Sequence, residues 1–323
     1  WIASKQTRKR GSQSSTEGSA SEESVGPLFL GKYIHQQREQ DFLGHGMFGR
    51  VWKATLHGTQ TPVAIKIINL RRLNEKQCTI ANVKEEINIM RSVMKQYTNG
   101  NPNIIRLYDV HHGPDEVSLV MEFCPGGELA KMITQKGRLN METASRFLRQ
   151  MSTGLQFLHG HSPPIIHRDL KPENMLLTSS DPETAVVKIA DFGLARELKK
   201  TDLSNTLCGS PLFMAPEMLL ASSHGRVQNY VKVPFFTASV DLFSLGAILY
   251  NMVTGRIEKE CFYDEIIHGR PPRLDLLDPE VDANCRDVLE KLLDLDPNKR
   301  ITNESLLAHP FLQPPVPSMG EDG

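Results

Sequence analysis

The spacing of apolar residues changes character along the chain, and each change marks a different kind of element. The runs Val51-Trp52-Lys53-Ala54 and Val63-Ala64-Ile65-Lys66-Ile67-Ile68 are short and β-rich, and the Gly58 and Pro62 turn region separates them; such runs predict antiparallel strands. Over residues 82–94 the pattern becomes helical, with Val83, Ile87, Met90 and Met94 on one face and Glu85 and Glu86 alongside. Residues 104–110 and 117–123 return to strand composition, bridged by His111-His112-Gly113-Pro114-Asp115. Past Cys124-Pro125-Gly126-Gly127 the reading is mainly helical, with an amphipathic segment over 141–158 and an apolar one over 240–253. The layout implied is a short strand-rich lobe, a glycine-bearing joint and a larger helical lobe, without internal repeats.

The ends differ from this middle. Residues 1–26 are rich in Ser, Gly, Gln and Glu and have almost nothing to build a core from, so they read as a disordered tail. Arg8-Lys9-Arg10 within them is short, and a solvated charge run describes it better than a targeting or anion-binding signal. Residues 27–40 read as a lead-in, and Pro310, Pro314, Pro315 and Pro317 mark the end of the packed region, leaving 313–323 as a C-terminal tail.

Composition narrows the classes. With 323 residues, 39% hydrophobic and 23% charged, the chain can bury a large core in one big or two modest units. A formal net charge of -1 supplies no global attraction to nucleic acid or an anionic membrane, and no nucleic-acid partner is expected. Five cysteines (Cys78, Cys124, Cys208, Cys261 and Cys285) form no CxxC pair, and their odd number prevents full internal pairing. A reduced compartment is expected, the cytoplasm first, with the nucleus left open. No apolar run reaches bilayer-spanning length, the start lacks a signal-peptide pattern, and Trp1 in place of Met fits a fragment of a longer chain.

Candidate chemistry lies in an ordered set of motifs. Gly44-His45-Gly46-Met47-Phe48-Gly49-Arg50-Val51 sits between strand-like segments, where absent side chains let backbone N–H groups approach phosphates. Alone, this pattern fits a tight hairpin equally well; the strand that follows it argues against a dinucleotide fold. Lys66 ends Val-Ala-Ile-Lys in an apolar strand and needs anionic partners if buried. Nucleotide phosphates and a helical carboxylate would serve, with Glu86 the best placed and Glu85 the runner-up.

His167-Arg168-Asp169-Leu170-Lys171-Pro172-Glu173-Asn174 then offers Asp169 to orient a substrate hydroxyl and accept its proton, and Lys171 to neutralise charge on a moving phosphoryl group. Asn174 and the Asp191 of Asp191-Phe192-Gly193 supply the hard oxygen donors that Mg²⁺ prefers. A polar turn before the Met175-Leu176-Leu177 strand would explain the polarity of the octapeptide but not its residue order.

With Ala215-Pro216-Glu217 downstream, these motifs make residues 41–312 resemble a eukaryotic protein kinase domain. The resemblance implies an α+β, bilobal kinase-like fold, a small antiparallel β-sheet lobe over 41–123 and a larger mainly α-helical lobe over 124–312, with ATP in the cleft. It implies that Glu122, Phe123 and Cys124 form the hinge, that Met121 guards the back of the adenine pocket, that Val51, Ala64 and Leu176 wall that pocket, and that Glu128 contacts ribose or substrate. Lys171, where tyrosine kinases carry a different loop, implies serine/threonine specificity. In the activation segment, 191–217, it points to Thr206 as a phosphorylation target of an upstream kinase, with Arg168 holding the phosphate, and to Ser210 as a substrate-site residue. Thr201 and Ser204 read as solvated. Glu128 and Glu173 hint at basic residues before the target hydroxyl, and Glu217 is expected to pair with Arg300 as scaffold.

Leu207-Cys208-Gly209-Ser210-Pro211 through Glu217 and Val187-Lys188-Ile189-Ala190-Asp191-Phe192-Gly193 are similar to the autophagy-initiating Unc-51-like kinases, and calcium/calmodulin-type kinases share much of both. Three features depart from the family pattern. Phe243 replaces the usual tryptophan in Asp241-Leu242-Phe243-Ser244-Leu245-Gly246, an insertion spans 219–236, and Gly255-Arg256-Ile257-Glu258 replaces a Pro-Phe element. The insertion could dock a partner or bury Phe235 and Phe236. The expected activity is ATP-dependent phosphorylation of protein Ser/Thr hydroxyls; the alternative is a silent kinase-fold scaffold, although Lys66, Asp169, Asn174 and Asp191 are all present.

Overall fold

The computed structural model describes residues 28–34, 38–45, 49–71, 73, 80–95, 101–197, 211–222 and 237–313. Gly46, Thr206, Ser210, the N-terminal tail and residues 223–236 of the insertion lie outside them.

The small lobe is one curled antiparallel sheet with a helix against it. Its strands are β1 (Leu28–Phe29), β2 (Tyr33–Ile34), β3 (Phe42–His45), β4 (Gly49–Leu56), β5 (Thr61–Asn69), β6 (Leu107–His112) and β7 (Glu116–Glu122), ordered β1-β2-β4-β5-β7-β6 with β3 paired to β4. The nearly continuous apolar run of β5 is explained by burial on both faces. Val63 and Ile65 pack outward with Tyr33, Ala54 and Val120, whereas alternate residues Ala64 and Lys66 face the interlobe cleft. The lead-in segment thus contributes β1 and β2 to the sheet, and Tyr33 covers its outer face. At Gly49 a Cβ would lie 2.2 Å from the Ile67 carbonyl oxygen, so only glycine permits this approach of β4 to β5.

Helix α1 (Ile80–Lys95) buries Val83, Glu86, Ile87, Ile89, Met90 and Val93. Its inward face is wider than the Val83, Ile87, Met90, Met94 stripe, and Met94 is only partly buried against the core. Glu86 lies on the buried side.

The large lobe begins with β8 (Gly127–Glu128), α2 (Leu129–Lys136) and α3 (Met141–His159), the last started by Asn140, whose side chain accepts the Thr143 N–H at 2.7 Å. There follow β9 (Ile165–Ile166), β10 (Met175–Leu177), β11 (Val187–Ile189), β12 (Arg196–Glu197), α4 (Pro216–Ser222), α5 (Ser239–Thr254), α6 (Tyr263–Ile267), α7 (Ala283–Leu292) and α8 (Asn303–Leu307). Every residue of α5 from Val240 to Tyr250 is buried, because α3 and α7 pack against it; this is why its sequence shows an apolar block rather than a stripe. Strands β8, β10 and β11 form a small antiparallel sheet beneath the cleft. The bilobal α+β architecture expected from the sequence is the one observed.

Candidate active site

A cleft of about 650 Å³ separates the lobes. Gly44, Val51, Ala64, Lys66, Glu86, Met121, Glu122, Cys124, Glu128, Asp169, Lys171, Glu173, Asn174, Leu176 and Asp191 all line it. Gly49 sits on β4 outside the lining. Sequence reasoning missed Leu43, Met90, Ile105, Lys131 and Ala190, which also line the cleft. Ala190 was readable from its place beside Asp191, but Ile105 and Met90 look like any core residue in sequence.

Lys66, placed on β5, donates to Glu86 Oε1 of α1 at 2.6 Å and to Asp191 Oδ1 of the large lobe at 3.0 Å. Lys66 and Glu86 are both buried. Burial opposes the ammonium, but the Asp191 and Glu86 carboxylates beside it outweigh that and raise its pKa above the ordinary lysine value. Asp191 shows the reciprocal effect: burial works to raise its pKa, and the Lys66 charge and hydrogen bond hold it below the usual carboxylate value. The other Glu86 oxygen, Oε2, is buried without a hydrogen-bond partner.

At the cleft floor, Asn174 is placed by a short helical turn, Pro172–Asn174, that proline initiates. Its amide nitrogen donates to the Asp169 carbonyl at 2.7 Å and to Asp169 Oδ2 at 3.1 Å. Lys171 Nζ lies 3.1 Å from the same Oδ2. Asp169 is therefore buried and held from two sides, and Glu173 projects exposed at the mouth.

Two non-glycine residues of this region, Arg168 and Asp191, carry positive φ of 63°. Such conformations cost about 1–3 kcal/mol each and persist only where the surroundings enforce them. The enforcing group at Arg168 is Asp241, fully buried on α5, which accepts the His167 N–H at 2.9 Å, the Arg168 N–H at 2.8 Å and a hydrogen bond with His159 Nε2 at 2.8 Å. Near Asp191, the His167 ring pairs with the Ala190 carbonyl at 3.1 Å and stacks obliquely on Phe192.

The remaining predicted residues are accounted for by contacts. Cys124 is buried, and burial pushes its thiol up to about 12, which makes it a packing residue rather than a nucleophile. Glu122 pairs through its side chain with Lys188 at 2.9 Å. Glu128 accepts from Lys131 at 3.1 Å. Arg300 grips Glu217 with two bonds of 2.8 and 3.1 Å and lies over the Phe243 ring. Among the described residues no group of three His, Cys, Asp or Glu converges as a metal cage, and no helix is long and apolar enough to cross a membrane.

Residues 37–312 match the protein kinase domain family. The chain is 39% identical over 277 residues to serine/threonine-protein kinase ATG1b of Arabidopsis thaliana, covering 84% of this chain and 35% of that protein. It is 35% identical over 288 residues to serine/threonine-protein kinase atg1 of Dictyostelium discoideum, covering 88% and 39%. To serine/threonine-protein kinase ULK3 of Homo sapiens it is 35% identical over 293 residues, covering 89% and 56%. The chain thus spans between about a third and just over half of the length of these relatives. Its two-lobed fold, its charged cleft and a match over most of its length make this chain a member of the protein kinase domain family.

Proposed function

We propose that this chain is an ATP-dependent serine/threonine protein kinase that transfers the γ-phosphate of ATP to Ser and Thr hydroxyls of protein substrates. The observation that carries this reading is the Lys66 bridge between Glu86 of α1 and Asp191 of the large lobe, lining the same cleft as the Asp169, Lys171 and Asn174 cluster. Lys66 orients the nucleotide phosphates, and Glu86 fixes Lys66. Asp169 orients the attacking hydroxyl and receives its proton, while Lys171 offsets negative charge on the phosphoryl group in flight. Val51, Ala64, Met121 and Leu176 enclose the purine beside the hinge residues Glu122 and Cys124, and Gly44, Gly46 and Gly49 let backbone N–H groups approach the phosphates.

A divalent cation fits the donor set. With its amide nitrogen spent on Asp169, Asn174 has its oxygen left to offer, and Asp191 stays ionised. Two hard protein oxygens, without a closed cage, suit Mg²⁺ that keeps phosphate oxygens and waters as its other ligands. When bound, the ion would neutralise phosphate charge.

Thr206 is the regulatory position in this reading. A phosphate there adds about -1.5 to -2 charges, which Arg168 would hold so that the activation segment orders around Ser210. Thr206→Ala should lower turnover at least severalfold in protein treated with an activating kinase, and unchanged turnover would remove Thr206 from the mechanism. The similarity to ATG1 and ULK3 supports a place among Unc-51-like kinases, and with it a role in starting autophagy.

Transfer of labelled phosphate from ATP with Mg²⁺ to an arrayed serine/threonine peptide library tests the proposal. Asp169→Asn should abolish transfer while ATP still binds. If the parent, phosphorylated at Thr206, binds ATP and transfers nothing, the chain is a scaffold.

A further inference from the structure

One corner of the cleft mouth carries three charged side chains. Glu128 closes β8, Lys131 follows one turn later on α2, and Glu173 sits on the Pro172–Asn174 turn against which β8 and α2 both pack. All three line the cleft. Lys131 donates to Glu128 at 3.1 Å, so one of the two acids is already neutralised from within the chain. Glu173 is exposed and, among the described residues, makes no ion pair.

This arrangement matters for what the cleft accepts. Two free carboxylates at one corner would strongly favour a cationic side chain on an incoming peptide. A lysine between them subtracts one charge and adds a competitor that any substrate arginine must displace. Lys131 is 60% exposed at its side chain, so its influence is electrostatic and screenable rather than structural.

We propose that Lys131 is a specificity-determining residue, which by pairing with Glu128 leaves Glu173 as the unpaired acid of this corner and holds down the preference for substrates with a basic residue before the target hydroxyl. The inference rests on the kinase reading above and concerns which peptides are preferred, not whether transfer occurs.

The experiment compares two serine peptides identical except for Arg or Leu upstream of the serine, with the parent, Lys131→Ala and Lys131→Arg. The quantity read is the ratio of kcat/KM for the two peptides. Lys131→Ala should raise the Arg/Leu ratio about two- to fivefold, the range an exposed charge pair supports. Lys131→Arg should keep the parent ratio, and the increase should shrink as salt is raised.

An unchanged ratio in Lys131→Ala overturns the proposal. So does a change shared equally by both peptides together with a shifted KM for ATP, which would assign the pair to the nucleotide. Absence of transfer from the parent to either peptide would overturn the kinase reading itself, and is therefore distinguishable from failure of this inference.

Discussion

Asp241 shows how a residue outside the cleft can fix the backbone beside one that lines it. Its two oxygens receive two backbone N–H groups and the His159 ring, and in doing so hold Arg168 at positive φ next to Asp169. Burial works to raise the Asp241 pKa, and the hydrogen bond and charge of His159 outweigh it, leaving the value below the ordinary 3.8. A depressed carboxylate stabilises the fold above its unfolded pKa and loses that contribution as pH falls through its folded pKa. Stability should therefore drop on acidification below about pH 4, with Asp241 and Asp191 both contributing. Asp241→Asn turns one acceptor into a donor facing N–H groups, at a cost of about 1–3 kcal/mol. Thermal unfolding across pH should show a lower midpoint at neutral pH and a shallower acid limb than the parent. A mutant with the parent's acid limb would mean that Asp241 does not titrate as argued.

Between elements, Arg300 ties the turn after α7 to α4 through the buried Glu217. Arg300 also donates to the Ser239 carbonyl at 2.7 Å and the Asp294 carbonyl at 3.0 Å, and it lies over Phe243, so the aromatic retained at that position gives the guanidinium a face to stack on. Arg300→Leu strands a buried carboxylate and should cost about 3–5 kcal/mol in urea unfolding. Glu217→Leu should cost less, because Arg300 keeps its two carbonyls, and the double mutant should lose less than the sum. Strictly additive losses would contradict a direct pair.

This tie was legible in the sequence because both partners sit inside ordered motifs. The same holds for Lys66, Glu86, Asp169, Asn174 and Asp191, whose polarity has no explanation in a core. What stayed hidden was mostly apolar or short. Strands β1 and β2 are two residues each, too brief to show a period, so the Tyr33 cover of the sheet could not be read from residues 27–40. Met90 and Ile105 wall the cleft, but nothing in a helix face or strand distinguishes a residue facing a cavity from one facing a neighbour. The Glu128–Lys131 pair needed the helix to start at Leu129, a boundary that sequence patterns leave loose.

For the whole molecule, the consequence of this architecture is that a ligand in the cleft touches both lobes at once. Lys66 belongs to the small lobe, and Asn174 and Asp191 to the large one. A nucleotide that binds only the folded state should raise stability as its concentration exceeds the dissociation constant, by about 2.7 kcal/mol at a hundredfold excess. For a domain of this size, that is about 5 °C in Tm. On the proposed reading, in which Asp191 and Asn174 hold a cation, the shift with ATP and Mg²⁺ should exceed the shift with ATP and a chelator. Asp191→Asn, compared with its own nucleotide-free Tm, should retain the chelator-resistant part, which depends on Val51, Ala64, Met121 and Leu176, and lose most of the Mg²⁺ increment. Persistence of the full Mg²⁺ increment in Asp191→Asn would move the cation site away from Asp191; loss of both parts together would show that the Lys66 bridge to Asp191 shapes the purine pocket as well as the phosphate end.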